Sequence, residues 1–97
     1  MVPKQERDKA QRASRLFKLA SSPTRALILS VLASQSATPV QDIAKAVGMT
    51  HSAVSHQLGL LSRGKIVVSK KDGRTMRYSK AATPESKALF KALSLLG

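Results

Sequence analysis

Two sets of polar residues in this sequence could carry chemistry. The first comprises Thr50, Ser52, Ser55, His56, Gln57 and Arg63, a stretch without an acidic residue. Hydroxyls, an imidazole, an amide and a guanidinium with no carboxylate among them suit phosphate oxygens and base edges. The second runs from Arg63 to Lys80. It holds seven basic residues, Arg63, Lys65, Lys70, Lys71, Arg74, Arg77 and Lys80, against one acid, Asp72. Half of the net charge of +12 therefore sits in this stretch. A solvated hairpin often keeps a lysine or two to protect its edge. Seven bases exceed that need and favour contact with a polyanion.

Other chemistries are poorly served. With no cysteine, disulfides, thiolate metal sites and thiol redox sensing are excluded. His51 and His56 are five apart, not at the i, i+4 spacing that converges two imidazoles on one metal, so no metal site and no cofactor is expected. The five acids are scattered. No Ser-His-acid set, carboxylate pair or phosphate-binding glycine loop is present, so the chain does not read as an enzyme. At 97 residues it is one domain, 1–97. Its 42% apolar content supports a modest core, and 3% aromatics leave that core to Leu, Val, Ile and Ala. No apolar run approaches the ~18 residues of a membrane span. The N-terminal stretch is charged and lacks a signal-like apolar segment. No membrane association and a cytoplasmic location are expected.

These residues must be positioned by elements that the spacing reveals. Residues 1–4 are expected to fray. Ala13, Leu16, Phe17 and Ala20 mark a helix from about Gln5 to Ala20, with Arg7, Lys9, Arg12 and Arg15 along it. Ser22 and Pro23 cap and start a second helix, running to about Ala33 with a stripe of Leu27, Ile28, Val31 and Leu32. Thr38-Pro39-Val40-Gln41 reads as a capping box with proline at the first helical position. Val40, Ile43, Ala44 and Val47 form the inward face of that third helix, and Gly48 ends it. Thr50 caps a fourth helix from about His51 to Ser62, with Val54, Leu58 and Leu61 inward. Two short helices across a glycine-led turn make a helix-turn-helix over 38–63. Ile66, Val67 and Val68 then begin a strand, Asp72-Gly73 signals a tight hairpin, and Thr75 to Lys80 returns, giving a wing over 65–80. Thr83-Pro84-Glu85 caps a last helix over 83–96. The order is α-α-α-α-β-β-α, mostly helical with a β-hairpin: a winged helix-turn-helix.

At about 100° per residue, the side of the fourth helix opposite its apolar stripe carries Ser52, His56, Gly59 and Arg63, with Ser55 flanking. Gln57 lies nearer the core and reaches a groove edge only from the flank. Gly59 either lets a backbone approach closely or is a tolerated surface glycine. In the hairpin the alternation of faces leaves Lys71 and Arg74 as the principal contacts, with Lys70 and Arg77 as their neighbours and Met76 toward the core. Thr50 sits where a helix N-cap meets a phosphate. The few aromatics, Phe17, Tyr78 and Phe90, fit apolar faces, which favours duplex DNA over stacked single strands. Leu89, Leu93 and Leu96 share one face of the last helix, and Leu16 and Phe17 lie on the first. A core this small does not cover both stripes, so a homodimer interface is expected there.

Pro23-Thr24-Arg25, Asp42-Ile43-Ala44, the run from Ser52 to Leu58, Leu61, Gly73-Arg74 and Tyr78-Ser79 resemble the ArsR/SmtB family of repressors, over about Leu16 to Leu96. The resemblance implies a winged-helix homodimer joined through its first and last helices. It also implies a repressor bound to a palindromic operator and released by a ligand, often a metal ion. The matched positions depart from the family's sensing sites. One site uses cysteines at the start of the third helix, where this chain has Pro39 and Gln41. Another uses acids and histidine on the last helix, where Thr83, Glu85 and Leu96 stand. A lone Glu85 does not assemble a tetrahedral site. The reading is thus a sequence-specific DNA-binding regulator without the usual metal or thiol sensor. The alternative is a winged-helix module for nucleic acid or protein without operator specificity.

Overall fold

The computed structural model describes residues 1–97. The elements in chain order are α1 (Lys4–Ala20), α2 (Pro23–Ser34), β1 (Thr38–Pro39), α3 (Val40–Val47), α4 (His51–Arg63), β2 (Val67–Asp72), β3 (Thr75–Lys80) and α5 (Pro84–Leu95). The fold is a winged helix-turn-helix. Its helix boundaries follow local capping chemistry. The Ser22 hydroxyl accepts the Arg25 N–H at 3.3 Å, with Pro23 opening α2. Thr50 accepts from Ala53 and Thr83 from Ser86, each at 3.1 Å. Gly48 takes the left-handed conformation, φ 69°, and closes α3, as a residue without Cβ does at low cost.

One boundary differs from the sequence expectation. Thr38 does not cap α3. Its side chain is buried, its hydroxyl points to Gln35 Oε1 (3.4 Å), and Pro39 is the N-cap residue rather than the first helical one. The reason lies 40 positions away in β3. Thr38 pairs with Tyr78 and Pro39 with Arg77, making a third strand, and the antiparallel sheet runs β1-β3-β2. The second strand also starts later than Lys65. Lys65 turns left-handed at φ 64°, and the Ile66 N–H closes back on Leu61 O at 3.0 Å before the chain extends at Val67.

The core joins α2, α3, α4 and the start of β2: Ile28, Leu29, Leu32, Val40, Ile43, Ala44, Val54, Leu58, Leu61, Ile66 and Val67. In α2 the buried stripe is Ile28, Leu29 and Leu32, and Leu27 faces solvent. The stripe is therefore rotated from the expected one, because α2 is flanked by α1 and α5 as well as α3 and β3. Arg25 falls on this inward side, one turn before Ile28 and Leu29.

Helices α1 and α5 lie outside that core. None of α1 is buried, and α5 buries only Ser86. The leucine set expected at a dimer interface divides. Leu16, Leu89 and Leu93 are half-covered by their own core, whereas Phe17 and Leu96 are 68% and 86% exposed. Leu96 leaves the Leu89–Leu93 face because α5 ends at Leu95, itself 75% exposed.

Candidate nucleic-acid interface

α4 presents two rows of polar side chains one helical turn apart. Ser52 and His56 form the outer row, both exposed; His51 and Ser55 form the second. The second row borders a groove of about 150 Å³ whose walls are Val40, Gln41, His51, Ser55, Arg74, Thr75, Met76 and Tyr78. The start of α3, the first half of α4 and the hairpin tip thus meet at one place. The structure brings Ser55 and Arg74, which the sequence placed on separate elements, to one groove, and adds Gln41 and His51, which sequence reasoning left out of the contact set. The signal for His51 was its place one turn before Ser55. Thr50, whose hydroxyl caps α4, stands exposed at the same end.

The hairpin register sorts the basic residues by face. Lys71 pairs with Met76, which lines the groove, while Lys70 pairs with Arg77; Lys71 itself borders the recess on the hairpin's other side, with Lys70, Asp72 and Arg77. Met76 lines the groove at 37% exposure rather than entering the core, and Tyr78 packs against the core instead. Arg77 is held within the fold. Its Nε donates to Asp72 Oδ2 at 3.2 Å and its guanidinium to the Ala37 carbonyl at 3.1 Å. Asp72 thereby offsets two like charges placed directly opposite each other, an arrangement that otherwise destabilises a sheet. Lys80 is also engaged. Its Nζ donates to the Ala33 carbonyl at 3.3 Å and lies 5.6 Å from the Phe90 ring centre.

Two more expected contact residues sit apart from the groove. Gln57 faces α2, where its Oε1 accepts from Arg25 Nε at 2.9 Å, and Arg25 also donates to the Leu19 carbonyl at 3.1 Å. This ties α4 to the open C-terminal end of α1 and leaves the Gln57 amide nitrogen as its only free polar group. Arg63 lies at the far end of α4 beside Arg12 and Arg15 of α1. The basic stretch that is continuous in sequence is therefore split in space. Lys70, Lys71 and Arg74 surround the hairpin tip, Arg77 and Lys80 brace the sheet, and Arg63 and Lys65 turn toward α1. No His, Asp or Glu side chains gather in a group of three suited to a metal ion. No single helix is long and apolar enough to cross a membrane.

Residues 22–65 match the family described as bacterial regulatory protein, arsR family. The chain is 43% identical over 84 residues to the HTH-type transcriptional regulator NmtR of Mycobacterium tuberculosis, covering 87% of this chain and 68% of that protein. The chain belongs to the ArsR/SmtB family. A second relative in the ArsR/SmtB group is the transcriptional repressor SmtB homolog of Synechocystis sp. It is 38% identical over 74 residues, covering 76% of this chain and 55% of that protein. In three dimensions the chain matches a homodimeric winged helix-turn-helix DNA-binding domain of Mycobacterium bovis, a possible ArsR-family regulator. That match has a TM-score of 0.78 at 24% identity and covers 99% of this chain and 87% of that one; it establishes the common fold. This ArsR/SmtB-family chain is accordingly a DNA-binding transcriptional regulator, and the relatives it matches are regulators rather than enzymes.

Proposed function

We infer that the chain, as one domain over 1–97, binds a palindromic operator as a homodimer and represses transcription in the cytoplasm. α4 enters the major groove with Ser52, Ser55 and His56 toward base edges, and Thr50 meets a phosphate at its start. Lys71 and Arg74 lie along the flanking backbone or minor groove, with Lys70 beside them. Gln57 and Arg77 serve mainly to hold α4 and the hairpin in place. The observation that carries this reading is the groove shared by His51, Ser55, Gln41 and Arg74. It sets the second row of α4, His51 and Ser55, against the hairpin tip, with the outer row of Ser52 and His56 beside it.

The dimer follows from the apolar side chains that the fold leaves uncovered. Phe17 and Leu96 stand exposed at the ends of α1 and α5, and Leu16, Leu89 and Leu93 lie half-buried beside them. Covering one such side chain is worth roughly 1.5–3 kcal/mol, and two subunits would space two α4 helices for the halves of a palindrome. No metal or thiol sensor takes part in this reading. Selection of bound duplexes from a random pool tests it. A palindromic consensus bound by two chains is expected, and a pool without enrichment would show a module lacking operator specificity.

A further inference from the structure

At the opposite end of α4 from the groove, Arg12 and Arg15 of α1, Arg63 and Lys65 line a single cavity of about 340 Å³. The only acid on its wall is Glu85, in the first turn of α5. Four cations thus face one carboxylate, and none of the five forms an ion pair, since the one ion pair in the chain joins Arg77 to Asp72.

The dipole of α4 explains part of this. Cations are favoured at a helix C-terminus, which accounts for Arg63 and Lys65. It does not account for Arg12 and Arg15, which lie on the body of another helix, three residues apart and therefore on one side of it. They reach the cavity because α1 passes close over the end of α4, where Gly64 lacks the Cβ that would collide with the Leu19 side chain. The fold thus concentrates like charge in a recess, where a bound counter-charge relieves the mutual repulsion more closely than mobile ions do. Guanidinium groups favour oxyanions that accept two parallel hydrogen bonds, carboxylate and phosphate alike, and four cations against one acid favour the more highly charged phosphate. The volume lies at the lower end of the ~300–1,000 Å³ of small-ligand sites.

We propose that the cavity formed by Arg12, Arg15, Arg63 and Lys65 is a binding site for a small phosphate-type oxyanion, such as pyrophosphate or a compact phosphorylated metabolite. The site is separate from the groove between α4 and the hairpin, because the 13 residues of α4 place about 18 Å between its two ends. It also stands whether or not the operator reading holds, because anion binding is measured on the free protein.

The test is calorimetric titration of the full chain with inorganic pyrophosphate at fixed ionic strength, with amide NMR shifts to locate the site. Saturable binding of one anion per chain is expected, with Kd below about 1 mM and the largest shifts at Gly64 and Arg15. Arg15→Gln and Arg63→Gln should each weaken it about tenfold, the loss of a charge-assisted hydrogen bond. Lys18→Gln, which removes an exposed charge from the same helix outside the cavity, should not. All three residues are exposed, so the variants should melt like the parent. No saturation below about 10 mM overturns the proposal. So does equal weakening by Lys18→Gln, which would mean diffuse screening. A third contrary result is a shallower salt dependence of duplex binding in Arg15→Gln and Arg63→Gln without pyrophosphate saturation. That would make the cluster a contact for the DNA backbone.

Discussion

Helices α4 and α1 are held in opposite ways. α4 has 13 residues, of which Val54, Leu58 and Leu61 are fully enclosed. α1 is longer, at 17 residues, and encloses none. In α4 the aliphatic residues recur at i, i+4 and i+7, so one stripe meets α3 and β2 along its whole length. In α1 the large apolar residues Leu16, Phe17 and Leu19 crowd into the last turns, and the rest of the helix is mostly polar, with more bases than acids. A hydrophobic stripe fixes a helix along its length, whereas a short apolar end fixes only that end, here through Leu16 and Leu19 against the core. The helix proposed to read DNA is thus fixed along its length by the fold, whereas the outer helix is held by its own chain only near its C-terminal end.

The contrast can be broken most severely from inside. Leu58→Ala should lower stability by about 2–5 kcal/mol through cavity formation, read by chemical denaturation. A cost under 1 kcal/mol would mean that α4 is not anchored as the packing indicates. Phe17→Ser tests the other helix. It should leave the melting of the isolated fold nearly unchanged while weakening subunit association by about 1.5–3 kcal/mol, read by sedimentation against concentration. An unchanged mass distribution would assign α1 some other role.

The outer row of α4 comes next. His56→Ala should cost about 1–3 kcal/mol on the selected operator and little on random duplex. Equal losses on both would make His56 a backbone contact. Smaller still is the hairpin effect. Arg74→Ala should weaken all duplexes alike and lower the salt slope by about 0.9 per subunit. Arg77→Ala should leave that slope alone and cost at most about 1 kcal/mol of stability, the usual limit for an exposed pair. The smallest effect is expected from zinc, which should leave operator affinity unchanged. A tight one-per-subunit stoichiometry would redirect attention to His51 and His56.

Most of the architecture was legible because it is written locally. Ser22-Pro23, Thr83-Pro84 and Gly48 mark helix ends through groups within four residues of each other, and Asp72-Gly73 marks the hairpin turn. The same local grammar misread Thr38. A capping-box spacing was present, but pairing with Tyr78 decided the backbone, and no window of neighbouring residues contains that partner. Leu27 was misplaced for a similar reason, since the phase of α2 is set by the several elements around it. At the site, Ser55 and Arg74 could be read from a helical wheel and a turn. Gln57 and Arg77 could not be placed, because their partners Arg25 and Ala37 are adjacent only after folding. The charge count was right, but sequence order could not show that it divides among three surfaces.

The pairing of β1 with β3 has a further consequence. Thr38 and Pro39 lead directly into α3, so the hairpin is stitched to the front of the helix-turn-helix as well as following its end. Two independent attachments leave the hairpin little freedom to swing about α4. The angle between α4 and the hairpin is then settled before any duplex arrives. Less rotational freedom is lost on docking, and such preorganisation favours affinity without a single added contact. In the proposed docking, the same stiffness selects for groove shape. A duplex whose minor groove lies at the wrong angle to the adjacent major groove must itself deform to fit, at an energy that depends on its sequence.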